Sequence, residues 1–208
     1  MASLRPDLAA IAEMIPQGAR VLDVGCGDGV LLEHLSTTKN VDGRGLELSQ
    51  QKVNACVARG LPVIQGDADT DLSEYTSQVF DVVILSLTIQ ATRNPKAVLE
   101  QMLRIGRRMI VSLPNFGHWR VRLALLARGR MPRTKTLEFE WYDTPNIHLC
   151  TIADFVNLSD ICGATIEQAY ALTPDGGTKA MRARSWGPNL LAEGAIFLLH
   201  ANDLGAGI

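Results

Sequence analysis

The apolar positions of this chain alternate between two periods. Arg20-Val21-Leu22-Asp23-Val24 and Phe80-Asp81-Val82-Val83-Ile84-Leu85-Ser86 are short, nearly continuous apolar runs, as expected of strands buried on both faces. Between such runs the spacing changes. Val98, Leu99, Met102 and Leu103 recur at helical intervals behind Asn94-Pro95, with proline at a first helical position. The same reading predicts a leading helix from Leu8 to Ile15, stopped by Pro16, and a crossover helix from Gly29 to Leu35. It predicts strands from Gly43 to Leu48, Pro62 to Gln65 and Arg108 to Leu113. Ser49 should cap a helix from Gln50 to Arg59 that Gly60 ends, and Thr151 should cap one running to Ile161 that Gly163 ends. Two late strands are expected, Thr165 to Leu172 and Ala195 to His200. The Gly- and Pro-containing stretch between them, Thr173 to Gly194, reads as a long surface loop. Strands alternating with helices imply an α/β fold with a largely parallel sheet and helices on both faces.

Length and composition narrow this only a little. The 208 residues fit one domain over 1–208, with its core at about 16–201. A hydrophobic share of 47% is enough for a sizeable core, and a net charge of −2 gives no global pull toward nucleic acid or an anionic membrane. No apolar run approaches the roughly 18 residues of a membrane span. The N-terminus lacks a basic-then-apolar secretory layout, so a cytoplasmic location is expected. The four cysteines, Cys26, Cys56, Cys150 and Cys162, form no C-x-x-C pair and have no histidine at zinc-ligand spacing. They read as reduced thiols, and no metal site is expected.

Chemistry enters at Val24-Gly25-Cys26-Gly27-Asp28-Gly29, a glycine turn between a buried strand and a helix start. Glu47 follows eighteen residues after Gly29. This is how an open α/β sheet holds a nucleoside-containing cofactor. A dinucleotide turn would carry a third glycine at position 30, where Val30 stands, and Gly29 comes one place early. A G-x-G-x-G turn instead lets the methionyl part of S-adenosylmethionine (SAM), which has no phosphate, lie against bare backbone. The expected cofactor is therefore SAM or S-adenosylhomocysteine. The expected contacts are Asp23, Gly25, Cys26, Gly27 and Gly29 in the turn; Glu47 on the ribose, with Leu48 beside it; Asp67 and Ala68 at the adenine; and Ser86 near the methionyl group. Asp67 reads equally well as a turn aspartate.

After the fourth strand stand Ser86-Leu87-Thr88-Ile89-Gln90. An Asn/Asp-Pro-Pro-aromatic motif would be expected there in an enzyme methylating adenine or glutamine nitrogen, and it is absent. His118 and His148 are the acid/base candidates, both in loops expected at the carboxyl edge of the sheet. Arg104, Arg107, Arg108, Arg120, Arg122, Arg128, Arg130, Arg133 and Lys135 give nine basic residues from Arg104 to Lys135 with no acid among them. That stretch reads either as a solvated face or as a docking surface for an acidic protein or anionic ligand. It has too few aromatic residues to favour nucleic acid.

Several stretches resemble the MetW family of methionine-biosynthesis proteins. They are Arg20 to Gly29, Pro62 to Asp67, Gln90-Ala91-Thr92, Pro114 to Arg122, Gly129 to Pro132, and Trp141 to Thr151. The first is common to many methyltransferases; the last three are more specific. The resemblance implies the Rossmann-like seven-stranded sheet of class I SAM-dependent methyltransferases, with the last strand antiparallel, and a role in bacterial methionine synthesis. It also implies an association with the homoserine O-acyltransferase. Three readings stand: an accessory protein that binds SAM or its product and supports that acyltransferase, a SAM-dependent methyltransferase acting on a small molecule, and an RNA-binding methyltransferase.

Overall fold

The structure is a computed structural model and describes residues 4–134, 137 and 139–202. Lys135 of the basic stretch lies outside the described residues. The chain runs α1 (Pro6–Met14), β1 (Arg20–Val24), α2 (Val30–Lys39), β2 (Asp42–Glu47), α3 (Gln50–Ala58), β3 (Val63–Gln65), β4 (Phe80–Ser86), α4 (Pro95–Ile105), β5 (Gly106–Pro114), α5 (Trp119–Arg128), α6 (Ile152–Ile161), β6 (Ala164–Leu172), β7 (Thr178–Ala180), α7 (Trp186–Leu191) and β8 (Gly194–Ala201). One sheet takes all the strands in the order β3-β2-β1-β4-β5-β8-β6-β7. The first five strands are parallel, and β8 runs antiparallel to both β5 and β6.

The continuous apolar runs are buried on both faces. Val83, Leu85, Met109, Val111 and Leu113 turn to one face, where α4 and α6 bring Leu99, Met102, Ile152 and Phe155 against them. Val82, Ile84 and Ile110 turn to the other and meet Ile11 of α1, Ile15 just past its end, and Leu31 and Leu35 of α2. Each such side chain contributes about 1.5–3 kcal/mol by leaving water. α4 begins as the sequence indicates: Asn94 Oδ1 accepts from the Ala97 N–H at 3.2 Å, with Pro95 first in the helix. Thr151 and Asp154 close a reciprocal capping box on α6.

Three expectations need correction. The expected seven strands gain an eighth, the three-residue β7, which pairs only with the edge strand β6. The stretch Thr173–Gly194 is therefore not all loop; it carries β7 and α7. Ser49 stands at the N-cap of α3, but its side chain makes no capping bond.

The basic stretch is also not one surface. Arg104 donates to the carbonyl oxygens of Tyr75 and Leu72, Arg107 pairs with Asp81, and Arg108 pairs with Glu167. Arg107 and Arg108 lie at the amino end of β5 and Arg104 just before it, whereas Arg120 onward follows the carboxyl end. Their charges are met by carbonyls and acids from elsewhere in the chain, which a count along the sequence could not register. Among the described residues, no helix is long and apolar enough to cross a membrane.

Candidate cofactor turn and flanking loops

Strand order reverses between β1 and β4, and open α/β sheets bind ligands at such a point, outside the carboxyl ends of the strands. The glycine turn lies at that point. Gly25, Gly27 and Gly29 all adopt left-handed backbone, with φ of 72°, 61° and 75°. Two are packed close. A Cβ on Gly25 would stand 2.7 Å from Thr88 Oγ1, and one on Gly29 would stand 2.5 Å from Leu61 Cδ1. Gly27 differs, because a Cβ there would meet nothing within 4 Å. The turn is thus braced at both ends and bare at its middle, which is the shape a ligand lying on backbone needs.

Glu47, at the end of β2, is buried, and its carboxylate fixes the turn. One oxygen accepts from the Gly27 N–H at 2.8 Å, the other from the Ser49 N–H at 3.0 Å. Each oxygen keeps a further lone pair for a hydroxyl. Asp23, in register with Gly45 on β2, is buried beside it. Burial raises its pKa to about 7, with the Glu47 charge adding in the same direction. A cation brought to this pair would relieve both effects. Cys26 is buried under the turn, and burial pushes its thiol well above the ordinary cysteine range, so it makes a poor nucleophile. The Cys56 thiol donates to the Gly27 carbonyl at 3.4 Å.

The remaining cofactor candidates border the same edge. Leu48 is exposed beyond Glu47, and Ala68 is half-buried. Asp67 Oδ1 accepts from the Asp69 N–H at 2.9 Å, and its other oxygen pairs with Arg93. These are the bonds of a turn aspartate, with an arginine partner that sequence spacing did not indicate. Ser86 Oγ meets Ser112 Oγ at 3.1 Å. Leu87 follows in left-handed backbone, φ 49°, pinned by its N–H to Ser112. For a residue with a branched side chain this conformation is strained, and it sits where β4 delivers the chain to the carboxyl edge of the sheet.

Gln90, to which the sequence assigns no role of its own, organises much of this edge. Its carbonyl accepts from the N–H groups of both Ile147 and His148, at 2.8 and 2.9 Å. Its side-chain nitrogen donates to the Leu87 carbonyl, and its buried Oε1 has no partner. Gln90 lines a cavity of about 440 Å³ with Leu87, Pro114 and Asn146. Buried Asn115 ties two other segments together, donating to the carbonyls of Asn189 and Ala192 and accepting from the Gly117 N–H. The Gln90 and Pro114–Arg122 stretches are thus built into the carboxyl edge.

The two histidines are held apart by different neighbours. His148 is half-buried, and its Nε2 lies 3.4 Å from the Arg93 carbonyl, on the Asp67 side. His118 is buried at the N-cap of α5, where Nδ1 accepts from the Arg120 N–H at 3.3 Å. Burial holds its pKa below the usual histidine value. Glu193 and the Leu191 carbonyl oppose that shift, and Arg120 adds to it.

This sheet order with a glycine turn at its switch point defines a SAM-dependent methyltransferase fold. The structure superposes on a putative methyltransferase from Haloferax volcanii, solved in complex with the Trm112 methyltransferase activator. The TM-score is 0.68 at 15% identity, covering 98% of this chain and 92% of that one. A SAM-dependent methyltransferase from Thermotoga maritima, described as a possible histamine N-methyltransferase, gives 0.66 at 16% identity over 94% and 87%. Residues 5–199 match the family described as "Methionine biosynthesis protein MetW", and the chain belongs to that family. A curated relative, the bifunctional methionine biosynthesis protein MetXA/MetW of Rhodopirellula baltica, is 34% identical over 210 residues. That match covers 97% of this chain and 33% of the relative, so the chain spans about a third of that protein's length.

Proposed function

We propose that this protein binds SAM or S-adenosylhomocysteine at the glycine turn and serves as an accessory to the homoserine O-acyltransferase of methionine synthesis, in the cytoplasm. The observation that carries the first half is the bare middle of the turn at Gly27, with Glu47 clamped across it. Glu47 would hold the ribose hydroxyls, Asp23 the ammonium of the methionyl end, and Leu48, Asp67 and Ala68 the adenine. The cofactor, when bound, would supply an activated methyl group or report its consumption. The chain's own residues supply a rigid acidic cradle. The second half is supported by the relative that joins MetXA and MetW in one chain.

The docking face we assign is the outer side of α5. Trp119, Leu123 and Leu126 are exposed there at 41%, 53% and 86%, at i, i+4 and i+7 spacing. Apolar side chains in such a stripe are normally covered. The test is coexpression of the tagged protein with the acyltransferase from the same cell. Copurification should occur with wild type and fail with Leu123→Asp/Leu126→Asp; equal recovery with both would remove this face from the account.

The cavity beside Gln90 favours a second reading, methyl transfer to a small molecule that donates a hydrogen bond to Gln90 Oε1; His118 and His148 are its base candidates, and neither lines that cavity. A radiolabelled-methyl screen over cell metabolites distinguishes the two, since an accessory protein transfers no label.

A further inference from the structure

The cavity of about 440 Å³ beside Gln90 has a chemistry of its own. None of the cofactor candidates lines it, yet it adjoins them. Leu87 and Gln90 in its wall flank Thr88, which packs against Gly25 of the turn. Its volume falls within the range of small-molecule sites.

Gln90 fixes the kind of atom that is missing. The residue is 4% exposed, and its Nε2 donates to the Leu87 carbonyl at 2.7 Å. The amide is therefore held one way round, and Oε1 is the end left without a partner. A buried acceptor without a donor is rare in folded chains, and its complement is a ligand N–H or O–H. The charges narrow this further. Arg5, Asp7 and Glu193 are the charged side chains of the lining. Arg5 and Asp7 are joined by two hydrogen bonds, at 3.2 and 2.9 Å, and cancel. Glu193 is left over. It is half-buried and forms no ion pair among the described residues. Its neighbour His118 does not balance it near pH 7, because burial lowers that histidine's pKa. The lining is thus net negative, which favours a cation. Leu87, Phe139 and Leu172 supply apolar wall.

We propose that this cavity binds a small molecule carrying an ammonium group on an apolar body, with the ammonium donating to Gln90 Oε1 and its charge balanced by Glu193. This names the substrate class of the second reading above. It rests on that reading for the ligand's part in methyl transfer, and not for binding.

Calorimetric titration of the full chain with 2-phenylethylamine tests this, with 2-phenylethanol and 3-phenylpropanoate as neutral and anionic counterparts. The amine should bind with a dissociation constant below about 5 mM, about tenfold or more tighter than the alcohol, and the carboxylate should not bind. Glu193→Gln should weaken the amine about tenfold and leave the alcohol nearly unchanged. The same loss of charge on exposed α4, Glu100→Gln, should alter neither. Gln90→Met removes the acceptor and should weaken amine and alcohol alike, with its melting temperature showing that the fold survives. The proposal is overturned if the amine does not bind, if the alcohol binds as tightly, or if Glu193→Gln binds the amine like wild type. Methyl label passing to alcohols without amine binding would keep the second reading and overturn this proposal. Amine binding without label transfer would uphold the proposal and remove the second reading.

Discussion

Glu47 is the side chain on which the cofactor reading depends most, and Glu47→Gln isolates it. The carboxylate accepts one backbone N–H on each oxygen, from Gly27 at 2.8 Å and from Ser49 at 3.0 Å. Glutamine keeps one acceptor and turns an NH₂ group toward the other N–H. A hydrogen bond to a charged group contributes about 1.5–3 kcal/mol, so loss of the ribose contact should weaken SAM about ten- to a hundredfold. The turn itself should lose about 1–3 kcal/mol, which in a chain of this size lowers the melting temperature by about 2–12 °C. Both effects are measurable at once, by calorimetric titration at 20 °C and by differential scanning calorimetry. A lower melting temperature with a dissociation constant unchanged within twofold would show that Glu47 only braces the turn.

Gly27→Val should abolish binding of SAM and S-adenosylhomocysteine, because it places a branched side chain in the open space over the turn and in left-handed backbone; titration that still gives wild-type heat would refute this. Gly29→Ala should destabilise by about 1–3 kcal/mol, since its Cβ would fall 2.5 Å from Leu61 Cδ1, and an unchanged denaturant midpoint would contradict it. Asp23→Asn should change how stability depends on pH. With its pKa raised from 3.8 to about 7, folded Asp23 keeps its proton across a window where the unfolded chain has lost it, so its contribution to stability falls as pH rises through that window. The variant lacks this penalty of up to about 4 kcal/mol. It should therefore melt higher than wild type at about pH 8, with the gap closing toward pH 4; parallel melting curves across that range would count against a buried neutral Asp23.

The sheet core was readable because burial leaves a local signature. β1 and β4 fall where the apolar runs begin and end, and the Thr151 and Asn94 caps act through side chains within three residues of them. β7 and α7 left no such trace. All three β7 residues are exposed, α7 buries none, and both are positioned by partners far away, such as Asn115 reaching Asn189 across 74 residues. The site divides in the same way. The glycine turn and Glu47 were legible because strand, turn and acid have fixed spacing. Thr88 under Gly25, Arg93 on Asp67 and the unpartnered Oε1 of Gln90 depend on which loops fold against one another. A count of basic residues along the sequence could not show which of them are paired, since Asp81 and Glu167 lie far outside the stretch whose Arg107 and Arg108 they engage.

The central claim is that the glycine turn and Glu47 at the switch point of the sheet form a SAM-class site. Isothermal titration of the wild-type protein with SAM and with S-adenosylhomocysteine tests it most directly, at concentrations suited to micromolar affinity. The account predicts saturable one-to-one binding of at least one of the two ligands, lost in Gly27→Val. No heat from either ligand would contradict it.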